Sequence, residues 1–198
     1  MAAVTTAEVW DGEARGFDDQ PDHGLRDPIV RRAWNGLLLA LTPPPPARIA
    51  DLGCGTGSLS VLLAEAGHHV CGLDISPAMV ALAQEKVADA GCEAEFSIGD
   101  VAAPLWQPAS FDVVLTRHVM WALDEPDAAL ARWIDLLAPG GRLVLIEGRW
   151  WTGAGMTAAQ VSALVLRHRV EAEVTALHDA ALWGAEVRDE RFVVVSRR

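Results

Sequence analysis

With 198 residues, 51% of them hydrophobic, the chain is about one domain in length and carries ample side chain for a packed core. A net charge of −11 argues against a phosphate backbone as partner, because nucleic-acid binders present basic faces. Three cysteines without disulfide or metal-site spacing, no signal-peptide-like start and no apolar run of membrane-spanning length give the expectation of a cytoplasmic protein that binds neither metal nor membrane.

Residues 1–26 are polar and acidic, with Trp10, Phe17 and the stretch DDQPDHGL at 18–25. Asp27 followed by Pro28 reads as an N-cap and first helical residue. Val30, Ala33, Trp34, Leu37, Leu38 and Leu41 then follow at helical spacing and form a core face. The proline run 43–46 stops this helix and delivers the chain to the first strand.

Residues 49–74 read IADLGCGTGSLSVLLAEAGHHVCGLD. A short apolar run passes through Gly53, Gly55 and Gly57 into a helical pattern at Leu59, Leu62 and Leu63, and a second apolar run ends in Asp74. This is strand, glycine turn, helix, strand and acid: one βαβ unit. Glycines at a strand-to-helix turn supply positive φ and let a ligand approach the backbone. An acid at the tip of the second strand is placed to accept hydrogen bonds from a ribose diol.

The dinucleotide pattern G-x-G-x-x-G fails here, because its last place falls on Ser58 or Ser60. Asp51, just ahead of the turn, would repel a pyrophosphate and welcome an ammonium group. DLGCGTG together with the later Leu73–Asp74 pair resembles the motifs of class I S-adenosylmethionine-dependent methyltransferases. The resemblance implies a Rossmann-like α/β fold: a seven-stranded, mostly parallel sheet, its last strand antiparallel, with helices on both faces. It also implies one domain over residues 1–198, with a helical segment over 1–46 covering the site of a core over 47–198.

Within that family, an aromatic followed by Asp near the N-terminus closes the site at the methionine end of the cofactor. Phe17 and Asp18 match, although Phe17 also suits simple packing of the segment. Asp51, Gly53, Gly55 and Gly57 would hold the methionine part, with Asp74 on the ribose and Ile75 and Met79 beside it. Ser76 and Pro77 start the next helix, whose face is Met79, Val80, Ala83 and Val87. A third strand is expected over 94–98. The resemblance places Asp100 and Val101, just after it, at the adenine; the alternative is an Asp capping the following turn.

A fourth strand over 111–116 ends in Arg117, His118, Val119, Met120 and Trp121. Ligands of open α/β sheets sit beyond the carboxyl ends of the strands, so this run is the main candidate for chemistry on the methyl acceptor. His118 is the first candidate for a general base and His23 the second, since histidine titrates near neutrality. Each also suits a structural or substrate-orienting role. Arg117 suits a substrate carboxylate or phosphate, a place beside the cofactor, or the acids Asp18, Asp19 and Asp22. Trp121, Trp150 and Trp151 suit the wall of an apolar acceptor pocket.

Asp124, Glu125 and Pro126 open a helix with Leu130, Trp133, Ile134 and Leu137 on one face. LAPGGRLVLIE then resembles the family's turn into strand five, expected over 142–147. Thr157 and Gln160 form a capping box. Runs at 173–177 and 191–196 read as two final strands that pair antiparallel, because the connection is short for a crossover helix.

The asparagine-proline-proline-aromatic signature of amino-directed nucleic-acid methyltransferases is absent, and TRHVMW stands in its place. The expected acceptor is therefore a small molecule. LTRHVMW distantly resembles a quinone C-methyltransferase branch, which leaves the acceptor, the alkylated atom and the oligomeric state open. A non-catalytic S-adenosylmethionine-binding protein and a nicotinamide-dependent oxidoreductase are the alternatives.

Overall fold

The computed structural model describes residues 6–197; residues 1–5 and 198, at the ends of the expected ranges, lie outside the described residues. The order of elements is α1 (Thr6–Phe17), α2 (Pro21–Gly24), α3 (Pro28–Leu41), β1 (Arg48–Leu52), α4 (Ser58–Glu65), β2 (His69–Asp74), α5 (Pro77–Asp89) and β3 (Glu95–Ile98). There follow β4 (Phe111–Arg117), a 3-10 turn (Met120–Ala122), α6 (Pro126–Asp135), β5 (Leu137–Arg149), α7 (Ala158–Val165), β6 (Glu173–Ala176), α8 (Ala180–Trp183) and β7 (Glu190–Ser196).

The seven strands form one sheet in the order β3-β2-β1-β4-β5-β7-β6. β1, β2, β3, β4 and β5 pair in parallel, and β7 runs antiparallel to both β5 and β6. Strand order reverses between β1 and β4, and the crevice beyond their carboxyl ends is where such sheets bind ligands.

Side chains alternate along each strand, so a sheet covered on both faces has apolar residues pointing both ways. Ile49, Val113, Leu115, Val144 and Ile146 pack with Trp34 and Leu38 of α3, Leu62 of α4 and Trp183 of α8. Ala50, Val114, Leu143 and Leu145 point oppositely and pack with Leu130 and Trp133 of α6 and Val161 of α7. Trp34 and Trp133 are fully buried, and each indole N–H finds a carbonyl, that of Leu182 at 2.7 Å and that of Val101 at 2.7 Å. Truncating such a side chain costs about 3–5 kcal/mol.

The helix starts follow the sequence signals. Asp27 accepts from the N–H of Ile29, Ser76 from Met79, and Thr157 with Gln160 forms the reciprocal capping box. Strand five differs from its expected range, beginning at Leu137 rather than Arg142. The Pro-Gly-Gly turn is absorbed as an irregularity, where pairing with β4 shifts register between Phe111 and Val113. Such shifts bend a strand without ending it. Among the described residues, no helix is long and apolar enough to cross a membrane.

Candidate active site

A cavity of about 690 Å³ lies beyond the carboxyl ends of the strands. Asp51 and Gly53 reach it from β1, Asp74 and Ile75 from β2, Asp100 and Val101 from the turn after β3, Arg117 and His118 from β4, and Trp150 from the loop after β5. Phe17 and His23 enter from the N-terminal segment, and Met79 from α5. The cavity therefore gathers expected site residues from Phe17 to Trp150, with Gly57 and Trp151 outside it.

One half is a backbone cradle. The N–H groups of Gly53 and Cys54 donate to the Leu73 carbonyl at 2.8 and 3.1 Å, tying the turn to the end of β2. Asp74 accepts from the N–H of Gly55 at 2.9 Å through one oxygen and from that of Ser76 at 2.9 Å through the other. Each oxygen keeps a second lone pair for a hydroxyl group. Gly53 and Gly55 have φ of 72° and 54°, and a Cβ on Gly53 would strike Val119. Only glycine fits such positions without strain. Gly57 is the exception to the expected set: it does not line the cavity, but caps α4 at φ 76°, where a Cβ would lie 2.8 Å from that of Ala83.

Asp51 is buried and accepts from the Ser60 hydroxyl at 2.6 Å. Burial pushes its carboxyl up to about 6, against the pull of Ser60 and Arg117. Burial also raises Asp74, against the N–H groups it accepts from. Lys86 stands behind this turn and is already committed to Asp18, Thr56 and Ser58. The donor set thus fits a ligand with a cationic head, a ribose and no phosphate, as S-adenosylmethionine has. Asp51, Gly53, Gly55 and Asp74 are the residues that would hold it.

The N-terminal segment is fastened over this cradle. Phe17 packs above Gly55, whose Cβ would sit 3.3 Å from the ring. Asp18 meets Lys86 at 2.7 Å and accepts from the Thr56 hydroxyl. Asp11 of α1 accepts from the Ser76 hydroxyl and from the N–H of Ala78 at 3.0 Å. Arg117 donates to the backbone carbonyl of Asp22, rather than to a carboxylate, and its guanidinium lies 5.0 Å from the centre of the Trp34 ring.

The other half of the cavity is aromatic and basic. His118 has φ of 60°, and its carbonyl accepts from the indole N–H of Trp121 at 2.8 Å. Its ring meets Trp150 edge-on at 5.2 Å, and Trp150 meets Trp121 at 5.6 Å. Burial, then the charges of Arg117, Arg191 and His23, hold His118 well below the usual histidine range, so the imidazole is neutral. His23 stacks on Phe17 at 4.3 Å, and burial followed by the Arg117 charge lowers it too. Trp121 is 39% exposed and lines the cavity, whereas Trp151 is 88% exposed and does not.

Two residues here have no local signal in the sequence. Glu147 is fully buried at the end of β5 and accepts from the N–H groups of Val119 and Met120 at 2.9 and 2.8 Å, fixing the turn that carries His118. Burial pushes its carboxyl up to about 7, against those two N–H groups. Arg191 is the second residue of β7, which runs antiparallel to β5, so its pairing with Gly148 brings it to the cavity. Asp100, expected at the adenine, lines the cavity while one oxygen accepts from the N–H of Ala102 at 2.8 Å, so it also caps the following turn.

Residues 49–141 match the family model described as a methyltransferase domain. The ubiquinone biosynthesis O-methyltransferase of Xanthomonas euvesicatoria is 35% identical over 139 residues, covering 69% of this chain and 54% of that protein. The chain thus spans about half the length of that curated relative. A TehB-like S-adenosylmethionine-dependent methyltransferase from Corynebacterium glutamicum superposes with a TM-score of 0.64 at 27% identity, over 83% of this chain and 86% of that one. The cyclase SpnF superposes with a TM-score of 0.73 at 21% identity, over 85% of this chain and 80% of that one, which shows a shared fold. The chain belongs to the class I S-adenosylmethionine-dependent methyltransferases, and S-adenosylmethionine is its cofactor.

Proposed function

We propose that this protein transfers a methyl group from S-adenosylmethionine to a small-molecule acceptor. The observation that carries the reading is that one cavity joins the acidic glycine cradle to the aromatic and basic pocket around His118. When bound, the cofactor supplies a methyl carbon on a cationic sulfur, which an acceptor lone pair takes as the carbon–sulfur bond breaks toward sulfur.

The chain's own part is alignment and exclusion of water, which together supply about 7–11 kcal/mol in well-organised cases. Asp51 would face the methionine ammonium, Asp74 the ribose diol, and Asp100 with Val101 the adenine. Ile75, Met79 and Phe17 enclose these groups. Arg117 keeps the N-terminal segment closed through Asp22. His118 is held neutral and accepts a hydrogen bond from the acceptor, taking its proton when an O–H or N–H is alkylated; His23 stands across the pocket.

The relatives' names support a small acceptor, as does a chain with 27 acidic and 16 basic residues, which disfavours nucleic acid. We place the protein in the cytoplasm and read residues 1–46 as the cover of a single methyltransferase domain. The test is transfer from isotopically labelled S-adenosylmethionine to a panel of phenols, amines and enols, read by mass spectrometry. Labelled product that disappears in Asp51→Ala supports the reading. Cofactor binding with no transfer to any acceptor favours a non-catalytic binding protein.

A further inference from the structure

Buried polar atoms without a partner occur at several places among the described residues, at His68, Thr116, Glu147 and Ser162 among them, but four of them gather around one cavity. Among the described residues, His118 Nδ1 and Nε2, His23 Nδ1 and Arg191 Nε are all buried without a partner, and all three residues line the acceptor half of the cavity. A buried polar group left unpaired costs about 1–3 kcal/mol. In neutral His118 one of the two ring nitrogens donates and the other accepts, whereas Arg191 Nε can only donate, so the pocket offers at least two unpaired donors and one acceptor.

Arg191 supplies the charge. Its guanidinium lies 5.4 Å from the Trp150 ring centre and 5.0 Å from that of Trp183, so two indoles hold it in place. Its Nη2 reaches Asp189 at 3.2 Å, which uses one of five N–H groups and leaves Nε–H with none. A guanidinium whose Nε–H has no protein partner suits a carboxylate oxygen. The walls beside it, Trp150 and Trp121, are flat and apolar. Arg117 and neutral His118 stand on the same side, so a second cation and a hydrogen-bonding ring face the same volume.

We propose that the acceptor pocket recognises a planar aromatic acid, with the carboxylate on the unpartnered Nε–H of Arg191 and the ring against Trp150 and Trp121. This rests on the transferase reading of the cavity and names the chemical class it takes. Asp189 tempers the site by partly neutralising Arg191.

The test titrates benzoate, benzamide and cyclohexanecarboxylate into the protein, with and without saturating S-adenosylhomocysteine, following tryptophan fluorescence. Benzoate binds about tenfold more tightly than benzamide, as expected for charge-assisted hydrogen bonds, and roughly threefold more tightly than cyclohexanecarboxylate, as expected for ring contacts. Arg191→Gln abolishes the preference for benzoate over benzamide while keeping affinity for S-adenosylhomocysteine, and Asp189→Asn enlarges it. Equal affinity for benzoate and benzamide, or a preference that survives Arg191→Gln, overturns the proposal. Should Arg191→Gln fold poorly, Asp189→Asn decides alone, and an unchanged or smaller preference counts against the site. Benzoate selectivity in a protein that does not bind S-adenosylhomocysteine contradicts the transferase reading while leaving the acid site standing.

Discussion

Asp18 and Lys86 meet at 2.7 Å across the back of the glycine turn, and Thr56 of that turn bonds to both. The pair joins the N-terminal cover to α5 through the loop that the cofactor must touch. Burial alone would raise Asp18, yet hydrogen bonds from Lys86 and Thr56 and the Lys86 charge outweigh it and hold the carboxyl below its ordinary value. Lys86→Met leaves that carboxylate partly buried with the Thr56 hydroxyl but no cation, so the cover opens more often. The expected result is faster proteolysis within residues 6–24 and cofactor affinity lower by roughly three- to tenfold, the fraction lost to open molecules. Unchanged proteolysis and affinity would make the pair incidental.

Asp74 bonds both to the glycine turn and, in this account, to the ribose. Asp74→Ala therefore weakens S-adenosylhomocysteine binding by roughly tenfold or more in calorimetry. Asp74→Asn retains an oxygen for the Gly55 or Ser76 N–H groups and loses less. Affinity unaltered in Asp74→Ala would remove the ribose assignment.

Glu147 gives the fold a pH signature. Its carboxyl ionises near 4.5 when exposed and at about 7 in the folded protein. Between these values the folded state binds more protons than the unfolded one, so this group's contribution to stability falls as pH rises through that window. The loss is roughly 3 kcal/mol in order of magnitude. Urea melts at pH about 5 and about 8 should show wild type losing more stability across the interval than Glu147→Gln. Equal losses would mean that the carboxyl ionises freely in the fold.

His118 combines a left-handed backbone with a ring in the acceptor pocket. Asparagine tolerates that backbone better than most residues, so His118→Asn separates turn from chemistry. Thermal stability and S-adenosylhomocysteine affinity should stay near wild type, while turnover falls by at least about tenfold. Full turnover with the variant would reduce His118 to a packing role.

The cofactor half was legible because its signals are local. Asp51, Gly53, Gly55 and Asp74 lie on one strand-turn-helix-strand unit, and their spacing brings them to one crevice. Gly57 was misplaced because spacing shows that a turn needs glycine without telling a ligand-facing position from a helix cap. The acceptor half depends on register and side-chain direction between distant segments. Adjacent Trp150 and Trp151 look alike in sequence, yet one lines the cavity and the other is solvent-facing. Arg191 reaches the site only because β7 is antiparallel to β5, and Glu147 acts on Val119 and Met120, 28 and 27 residues away, because β4 and β5 are neighbours. The polar, acidic start of the chain showed no sign of the Asp18–Lys86 and Asp11–Ser76 fastenings, which join residues more than sixty positions apart.

The central claim is the nature of the ligand in the glycine cradle, and calorimetric titration of the purified protein with S-adenosylmethionine, S-adenosylhomocysteine and NADH tests it most directly. The account predicts binding of the first two in the micromolar range and none of the third, since the buried Asp51 carboxylate would repel a pyrophosphate. Binding of NADH without either sulfur compound would contradict it.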